Sequence, residues 1–480
     1  MEGLEISEVM LSSLEYSGRL DSEYYRPMFL QYESKLKSKN SSTLSTLANF
    51  LIGPFGSAFT VDNYTSDKTY RYIRGKDVKQ MKLMDDDNVY VPKSDFERLS
   101  KYALKENDIL VSVVGTLGNA ALIRKENTPA IFSCKSTVLR VRNINASYLL
   151  VYINSKYGRS LLLRKERGAI QKGLNLDDLK TLDVYVANKA LQDSVENILN
   201  LSITKENESK SLYTKAEALL LKSLGLENFS PSSKNTNIKS FKRSFQATSR
   251  LDAEYYQPKY EEIIDHIKTQ PHAKLSELVT IKKSIEPGSD EYSDNEDGLP
   301  FLRVADYNKF GITEPQKKLK TSFVTENQSK LDSLMPNAET ILFSKDGSVG
   351  EAHCLSKDSN FITSGAVLHL TVRDKKKVLP DYLTLVLNSK LVKMQAERDA
   401  GGSIILHWRV GEIEEVLVPV IDPKTQSQIS SLVQESFALK SKSEKLLETA
   451  KQAVEMAIEE SEEKATAFID KESRNLSDVA

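Results

Sequence analysis

Apolar residues spaced three and four apart run through two long stretches of the chain. Between residues 188 and 224, Leu191, Val195, Ile198, Leu199 and Ile203 are followed by Leu212, Ala216, Leu219 and Leu220. Between 423 and 460, Ile429, Leu432, Val433 and Phe437 are followed by Leu446, Leu447, Ala450, Val454 and Ile458. Each spacing predicts an amphipathic helix with one apolar stripe, about 55 Å long at ~1.5 Å per residue. A stripe of that length does not stay exposed to water. Two such helices bury their stripes most economically against each other, as an antiparallel pair. Elsewhere the pattern shortens. ILVSVVG (109–115), AALIRK (120–125), FSCKSTVLRVR (132–142), TILFSK (340–345) and AVLHLTV (366–372) are β-branched and punctuated by Gly and polar residues. They predict strands.

The whole pattern occurs twice. RLDSEYYRP at 19–27 returns as RLDAEYYQP at 250–258, each running into a predicted short helix, QYESKLKS or EEIIDHIK. LSTLANF (44–50) stands opposite LSELVTI (275–281), and YRYIRGKDV (70–78) opposite LPFLRVADY (299–307). DILVSVVGTLGNA (108–120) matches TILFSKDGSVGEA (340–352), keeping Gly115 and Gly118 as Gly347 and Gly350. YLLVYINSK (148–156) matches YLTLVLNSK (382–390). The offset is 231 at the opening motif, wanders between about 229 and 232, then locks at 234. Insertions therefore fall in the strand-rich middle of each copy, and the helical last third keeps its length. A period of this size describes duplicated domains and not solenoid turns.

The expected fold is α+β: two strand-rich domains separated by two long antiparallel helices, with an internal pseudo-two-fold repeat. The expected segments are a helical opening (1–44), a first strand-rich domain (45–186), a central long helix (187–227), a polar linker (228–246), a second helical opening (247–275), a second strand-rich domain (276–421), a C-terminal long helix (422–470) and a frayed tail (471–480).

Composition narrows the function classes. No apolar run reaches the roughly 20 residues that span a bilayer, and MEGLEISEVM lacks a charged-then-apolar signal pattern. The expected location is the cytoplasm. Cys134 and Cys354 are the only cysteines, which excludes a disulfide framework or Cys-rich zinc site and predicts two buried small hydrophobes. Net charge is −1, yet residues 45–186 hold 22 Lys+Arg against 15 Asp+Glu, and residues 276–420 hold 18 against 22. Charge alone suggests polyanion binding for the first domain and not for the second.

Catalytic signatures are missing. The chain has no GxxxxGK[ST] loop, no GxGxxG, no HExxH and no GxSxG. It has no Pro-Pro dipeptide, hence no Asp/Asn-Pro-Pro-aromatic motif of adenine-N6 methyltransferases, and no Pro-Asp…Glu-x-Lys nuclease core. Asp85-Asp86-Asp87 reads as a solvated turn, and the five histidines show no metal-ligand spacing. Basic and aromatic residues do recur at equivalent places. Arg71, Arg74 and Lys76 flank Gly75, with Arg303 and Asp306 in the corresponding place. Arg164, Arg167, Gln171 and Lys172 surround GAIQKGLN (168–175); GGSIILHWRV (401–410) carries His407, Trp408 and Arg409 and follows Arg398. Thr116 lies in GTLG, and Lys345 and Ser348 lie at GSVG. Such side chains hold phosphates or read base edges, and together they form the candidate DNA-contact set.

The ordered, duplicated occurrence of these motifs resembles the specificity (S) subunit family of type I restriction-modification enzymes over nearly the whole chain. The family-like motifs are GTLG (115–118) and GSVG (347–350) after a strand, and the Gly-x-x-Gln run before a helix, GAIQKGLN; in the second copy Ile405 stands where the glutamine would be. The resemblance implies a non-catalytic, DNA-binding subunit of a host-defence restriction system. Each of two target recognition domains would read half of a bipartite DNA site. The helical coiled coil would set the spacing and dock two methyltransferase (M) subunits. S-adenosylmethionine, ATP and magnesium would sit on partner subunits, with DNA methylation by M and cleavage by nuclease/translocase (R) subunits. Two other readings stay open: a specificity subunit of a fused methyltransferase–nuclease system, and a duplicated protein-interaction adaptor. The opening motif reads as a structural joint, with Arg19–Asp21 and Arg250–Asp252 ion pairs and the tyrosines packed on the rod or a partner.

Overall fold

The computed structural model describes residues 6–54, 58, 60–85, 87–168, 172–293, 298–402 and 404–477. The chain divides into two compact units. The first holds residues up to 206 together with those from 441 onward; the second holds 207–440. Each unit thus takes a strand-rich region and part of each long helix, where the repeat alone predicts one copy per domain.

Both units have one topology. The first contains an antiparallel sheet in the order Ala48–Ile52, Ser136–Val141, Asp108–Ser112, Ala120–Leu122. The second repeats it with Val279–Lys283, Val367–Val372, Ile341–Ser344 and Ala352–Cys354. The register is equivalent too: Leu110 pairs with Val138, and Leu342 with His369. Every residue of Asp108–Ser112 and Ile341–Ser344 is buried, because these inner strands are covered on both faces, which is why they read as unbroken apolar runs. Ile109 and Val111 face a core with Tyr148 and Tyr152, while Leu110 faces another with Ile73 and Phe132. A second sheet contains Val89–Val91, Tyr70–Ile73 and Ala130–Phe132 in the first unit, with Tyr72 and Ile131 in parallel pairing. Its counterpart contains Leu299–Leu302 and Ile362–Thr363, again parallel at Phe301–Ile362. The copies differ in length where the first has a helix over Lys93–Arg98 and the second a longer one over Thr321–Leu334. That is the middle region in which the offset wanders.

The long helices span Lys189–Ser223 and Pro423–Glu459. Within the first unit, Leu191, Val195, Ile198 and Leu199 share a core with Leu446, Ala450, Val454 and Ile458. The segments are antiparallel there: Ser202 Oγ meets Ser443 Oγ at 2.9 Å, and the Asn188 N–H donates to Glu462 Oε1 at 3.0 Å. Within the second unit, Tyr213, Ala216, Leu220 and Leu224 pack with Ile429 and Val433, and Ser209 Oγ meets Ser436 Oγ at 3.1 Å. Tyr213, and not Leu212, carries the stripe. The four buried serines break the apolar pattern because each satisfies its hydroxyl across the helix pair.

Four expectations change. The C-terminal helix of 422–470 is two helices, since a second one, Glu462–Ser477, begins after a break. Tyr185 Oη donates to Glu462 Oε1 at 2.6 Å, and Ala465 and Ile469 enter the first core, so the expected frayed tail (471–480) is helical as far as Ser477. The linker of 228–246 is partly a third element of the repeat. Leu11–Ser17 and Phe245–Thr248 are helical and end on left-handed residues, Gly18 (φ +61°) and Ser249 (φ +56°). Ser17 then hydrogen-bonds Tyr25, and Thr248 hydrogen-bonds Tyr256. The second copy therefore begins upstream of RLDAEYYQP. Finally, Cys134 and Cys354 are free thiols of intermediate exposure, not fully buried, and burial pushes the Cys354 thiol up to about 12. No helix among the described residues is long and apolar enough to cross a membrane.

All five histidines fall in the second unit, and burial pushes both His353 and His369 down to about 4. They are neutral when folded, whereas the unfolded chain takes up protons below ~6.5. Their contribution is therefore complete above ~6.5 and is lost as pH falls towards 4. Acidification from pH 7 to 5 is expected to destabilise the second unit by about 2 kcal/mol per histidine. Unit-resolved hydrogen exchange at both pH values checks this. His353→Phe, which keeps the edge contact with Phe437, should roughly halve the response, because His369 still titrates; an equal acid loss in the first unit would contradict it.

Candidate nucleic-acid interface

Two motifs that lie about 55 residues apart in sequence meet in each unit. The first is the glycine turn after the inner strand. Gly115 (φ +87°) and Gly118 (φ +71°), like Gly347 (φ +73°) and Gly350 (φ +80°), occupy left-handed backbone that favours glycine. A fully buried serine staples each turn. Ser112 Oγ accepts from the Asn119 N–H at 3.1 Å and donates to Thr116 O. Ser344 Oγ accepts from the Glu351 N–H at 2.8 Å and donates to Ser348 O. A cation from the following helix holds the turn's far end. Arg159 donates to Gly118 O at 3.1 Å and Asn119 Oδ1 at 3.3 Å, and Lys393 donates to Glu351 Oε1 at 2.9 Å. Burial lowers the pKa of the Arg159 guanidinium.

The second motif is the loop before the last short helix of each region. Its base is a two-residue ladder. Arg167 and Gly173 exchange N–H···O bonds of 2.9 and 2.8 Å, and the Leu174 N–H donates to Val113 O at 3.0 Å, beside the glycine turn. In the second unit Gly401 and His407 exchange bonds of 3.1 and 2.7 Å, and the Trp408 N–H donates to Lys345 O at 2.7 Å. The Gly347 N–H also donates to Leu406 O at 2.9 Å. Turn and loop thus form one surface element per unit.

The candidate residues separate into two groups. Thr116, Arg167, Lys172, Ser348, His407 and Arg409 are exposed on this element, and Lys76 is exposed on the neighbouring 3₁₀ turn. Several already hold an acid: Lys172 pairs with Glu166, Arg167 with Asp178 at 3.1 Å, Lys76 with Asp87 at 2.8 Å and His407 with Asp346 at 2.8 Å. Lys76 is the main cause that lowers the Asp87 pKa. Lys345 is half-buried and pairs with Asp346. Arg74 is half-buried, binding Asp77 at 2.9 Å, and Arg303 occupies the matching place above Asp306. Gln171 lies outside the described residues.

The second group is built into the structure. Trp408 is 1% exposed and packs on Phe343. Its equivalent in the first copy is Leu174, also buried, so the indole fills a core site and offers no face to a base. Arg71 is buried against Asp85 at 2.7 Å; Asp85 and Asp87 are exposed, as expected of a solvated turn, and they also serve as counter-ions to Arg71 and Lys76, while Asp86 lies outside the described residues. Asp306 is buried and accepts the Arg303 N–H at 2.8 Å, capping its own turn and not reading a base edge. Arg164 is buried, donating to Tyr24 O at 2.6 Å and Glu33 Oε2 at 2.9 Å. Arg398 is committed to Asp399 at 2.7 Å.

Sequence reasoning misses Ser112, Ser344, Arg159 and Lys393 because none belongs to a recognised motif. A signal exists all the same: these serines and cations recur at matching positions of the repeat, beside glycines and surface charges that are easier to notice.

The family model described as "Type I restriction modification DNA specificity domain" matches residues 44–200 and 271–450, two regions that cover most of the chain and each contain one turn–loop element. The chain belongs to the type I restriction-modification DNA specificity family. Among solved structures, this specificity-family chain is similar to the S subunit of a type I restriction-modification system from M. genitalium, at 14% identity over 91% of this chain and 95% of that one, with a TM-score of 0.36. It is also similar to the HsdS subunit from Thermoanaerobacter tengcongensis, at 13% identity over 90% and 96%, with a TM-score of 0.27. Family membership rests on the two matched regions. A comparison with curated proteins returns no match.

Proposed function

We propose that this chain is the DNA-reading subunit of a type I restriction-modification complex, each unit reading one half of a bipartite site. The observation that carries this reading is the turn–loop element, present once in each family-matched region with exposed hydroxyl, imidazole and cationic donors. Donors of that kind reach phosphate oxygens and base edges. The acid partners of Lys172, Lys76 and His407 hold these donors in place and moderate non-specific attraction to phosphate. In this reading the long helices set the spacer and dock two methyltransferase subunits, which bind S-adenosylmethionine. ATP- and magnesium-dependent translocation and cleavage belong to nuclease subunits, and the chain contributes no catalytic group.

One observation favours a different use of the second unit. Ile404, Ile405 and Leu406 are 95%, 54% and 41% exposed at the loop that in the first copy reads GAIQK. An apolar tip suits a polypeptide partner, as an adaptor would have.

Methylome sequencing of cells with and without this gene separates the two. The expected result is loss of one bipartite methylated-adenine motif on deletion. Thr116→Ala with Lys172→Glu should alter base preference in one half, and Ser348→Ala with Arg409→Glu in the other. A methylome unchanged by deletion, in cells where the partner subunits are active, would overturn the DNA reading and leave the adaptor.

A further inference from the structure

The opening motif makes the same contact in both units, and the contact falls on the base of the turn–loop element and not on the long helices. Arg19 forms a bidentate pair with Asp21, and its guanidinium lies 5.0 Å from the centre of the Tyr24 ring. The Arg164 guanidinium lies over the same ring at 4.0 Å. Arg19 also donates to Lys165 O at 3.4 Å and Glu166 O at 3.2 Å, the residues immediately before the loop ladder opens at Arg167. In the second unit Arg250 pairs with Asp252, lies 4.6 Å from the Tyr255 ring and donates to Asp399 O at 3.0 Å. Arg398 lies over that ring at 5.1 Å. Asp399 corresponds to Lys165 in the constant-offset part of the repeat, so the same carbonyl is held twice although its side chain has changed sign. The neighbouring tyrosine fixes the motif itself: Tyr25 Oη donates to Arg19 O at 3.1 Å, and Tyr256 Oη to Arg250 O at 3.0 Å.

We propose that Tyr24 and Tyr255 are positioning residues for DNA reading: each ring, with its two guanidiniums, fixes the backbone from which the turn–loop element of its unit projects. This rests on the DNA-reading function proposed above. A role in general stability predicts a different placement. Neither ring belongs to a hydrophobic core; those cores are built from Leu36, Leu44, Tyr148 and their neighbours, or Tyr260, Leu275, Tyr382 and theirs. What each ring holds is a guanidinium, through cation–π contacts, and the guanidinium of Arg19 or Arg250 in turn hydrogen-bonds main chain at one end of the loop. The opposite end is held independently by Leu174 or Trp408 in the core. Removing the ring should therefore loosen one end of the element and leave its unit folded.

The test uses the full chain and three variants of each tyrosine site. In Tyr24→Leu, the amides of Arg167, Gly173 and Leu174 should exchange about tenfold faster, with thermal stability nearly unchanged. Tyr24→Phe keeps the ring and should match the parent; Arg19→Gln should resemble Tyr24→Leu. Tyr255→Leu should act on Gly401, His407 and Trp408 alone. In cells with the partner subunits, methylome sequencing should show Tyr24→Leu relaxing one half of the methylated motif and Tyr255→Leu the other. Unchanged exchange in Tyr24→Leu would overturn the proposal, as would loss of both halves together with a fall in melting temperature. If the parent writes no bipartite motif, the DNA-reading function fails, and the exchange measurements still decide whether the rings hold the loops.

Discussion

Trp408→Ala should destabilise the second unit by about 3–5 kcal/mol, the cost of emptying a buried aromatic site. The ring is enclosed by Phe343 and lies against the Gly350 turn, so its loss leaves a cavity directly beneath the turn–loop element. Its indole N–H has no hydrogen-bond partner among the described residues. Trp408→Phe therefore loses ring area and no polar contact, and should cost much less. Hydrogen exchange resolves the effect by unit: protection should fall across Ile341–Ser344 and stay unchanged across Asp108–Ser112. A Trp408→Ala chain of full stability with selectively lost DNA recognition would instead return this residue to the set of base contacts.

Inserting four residues after Glu206 is expected to abolish methylation or change the spacer of the methylated motif, with both half-site sequences kept. Ser202 and Ser209 are seven residues apart, as are the serines they meet, Ser443 and Ser436. Seven residues are about two helical turns, the repeat that keeps a seam facing its partner. Four extra residues on one helix rotate its C-terminal portion by about 40° and shift it by about 6 Å, which takes that helix's apolar stripe out of phase. A compensated variant makes the experiment decisive. Seven residues inserted after Glu206 and seven after Lys440 keep each helix's apolar stripe in phase, and under the proposed DNA-reading function activity should return with a longer spacer. Changed half-site sequences in either variant would contradict the separation between reading elements and helices.

The legible and illegible parts of this protein differ in kind. The glycine turns are readable because left-handed backbone after a strand leaves a residue-type signature, and the long helices because an apolar stripe has a period. The four buried serines are not, since a serine on a helix reads as polar until a second serine is known to face it. The break before Glu462 has no glycine or proline to announce it, only Ser461, whose hydroxyl accepts from the Lys464 N–H at 3.3 Å; the contacts of Glu462 with Tyr185 and Asn188, more than 270 residues earlier, are not legible along the chain. Among the cations, Arg71, Arg164 and Lys172 look alike in sequence. Burial separates them, and burial is a property of the packed chain.

The amino-acid sequence by itself determined the duplication, the α+β class, the position of both turn–loop motifs and the family resemblance. Each of these comes from local residue type and spacing repeated within one chain. Only the tertiary structure decided that each compact unit takes part of both long helices, that Trp408 and Arg164 serve the interior, and that the two RLD motifs grip the loops ahead of Arg167 and Gly401. Those outcomes depend on which distant residues compete for the same buried space and the same unpaired carbonyls. That competition is settled by packing and hydrogen-bond satisfaction in three dimensions, and it leaves no local signature in the order of residues along the chain.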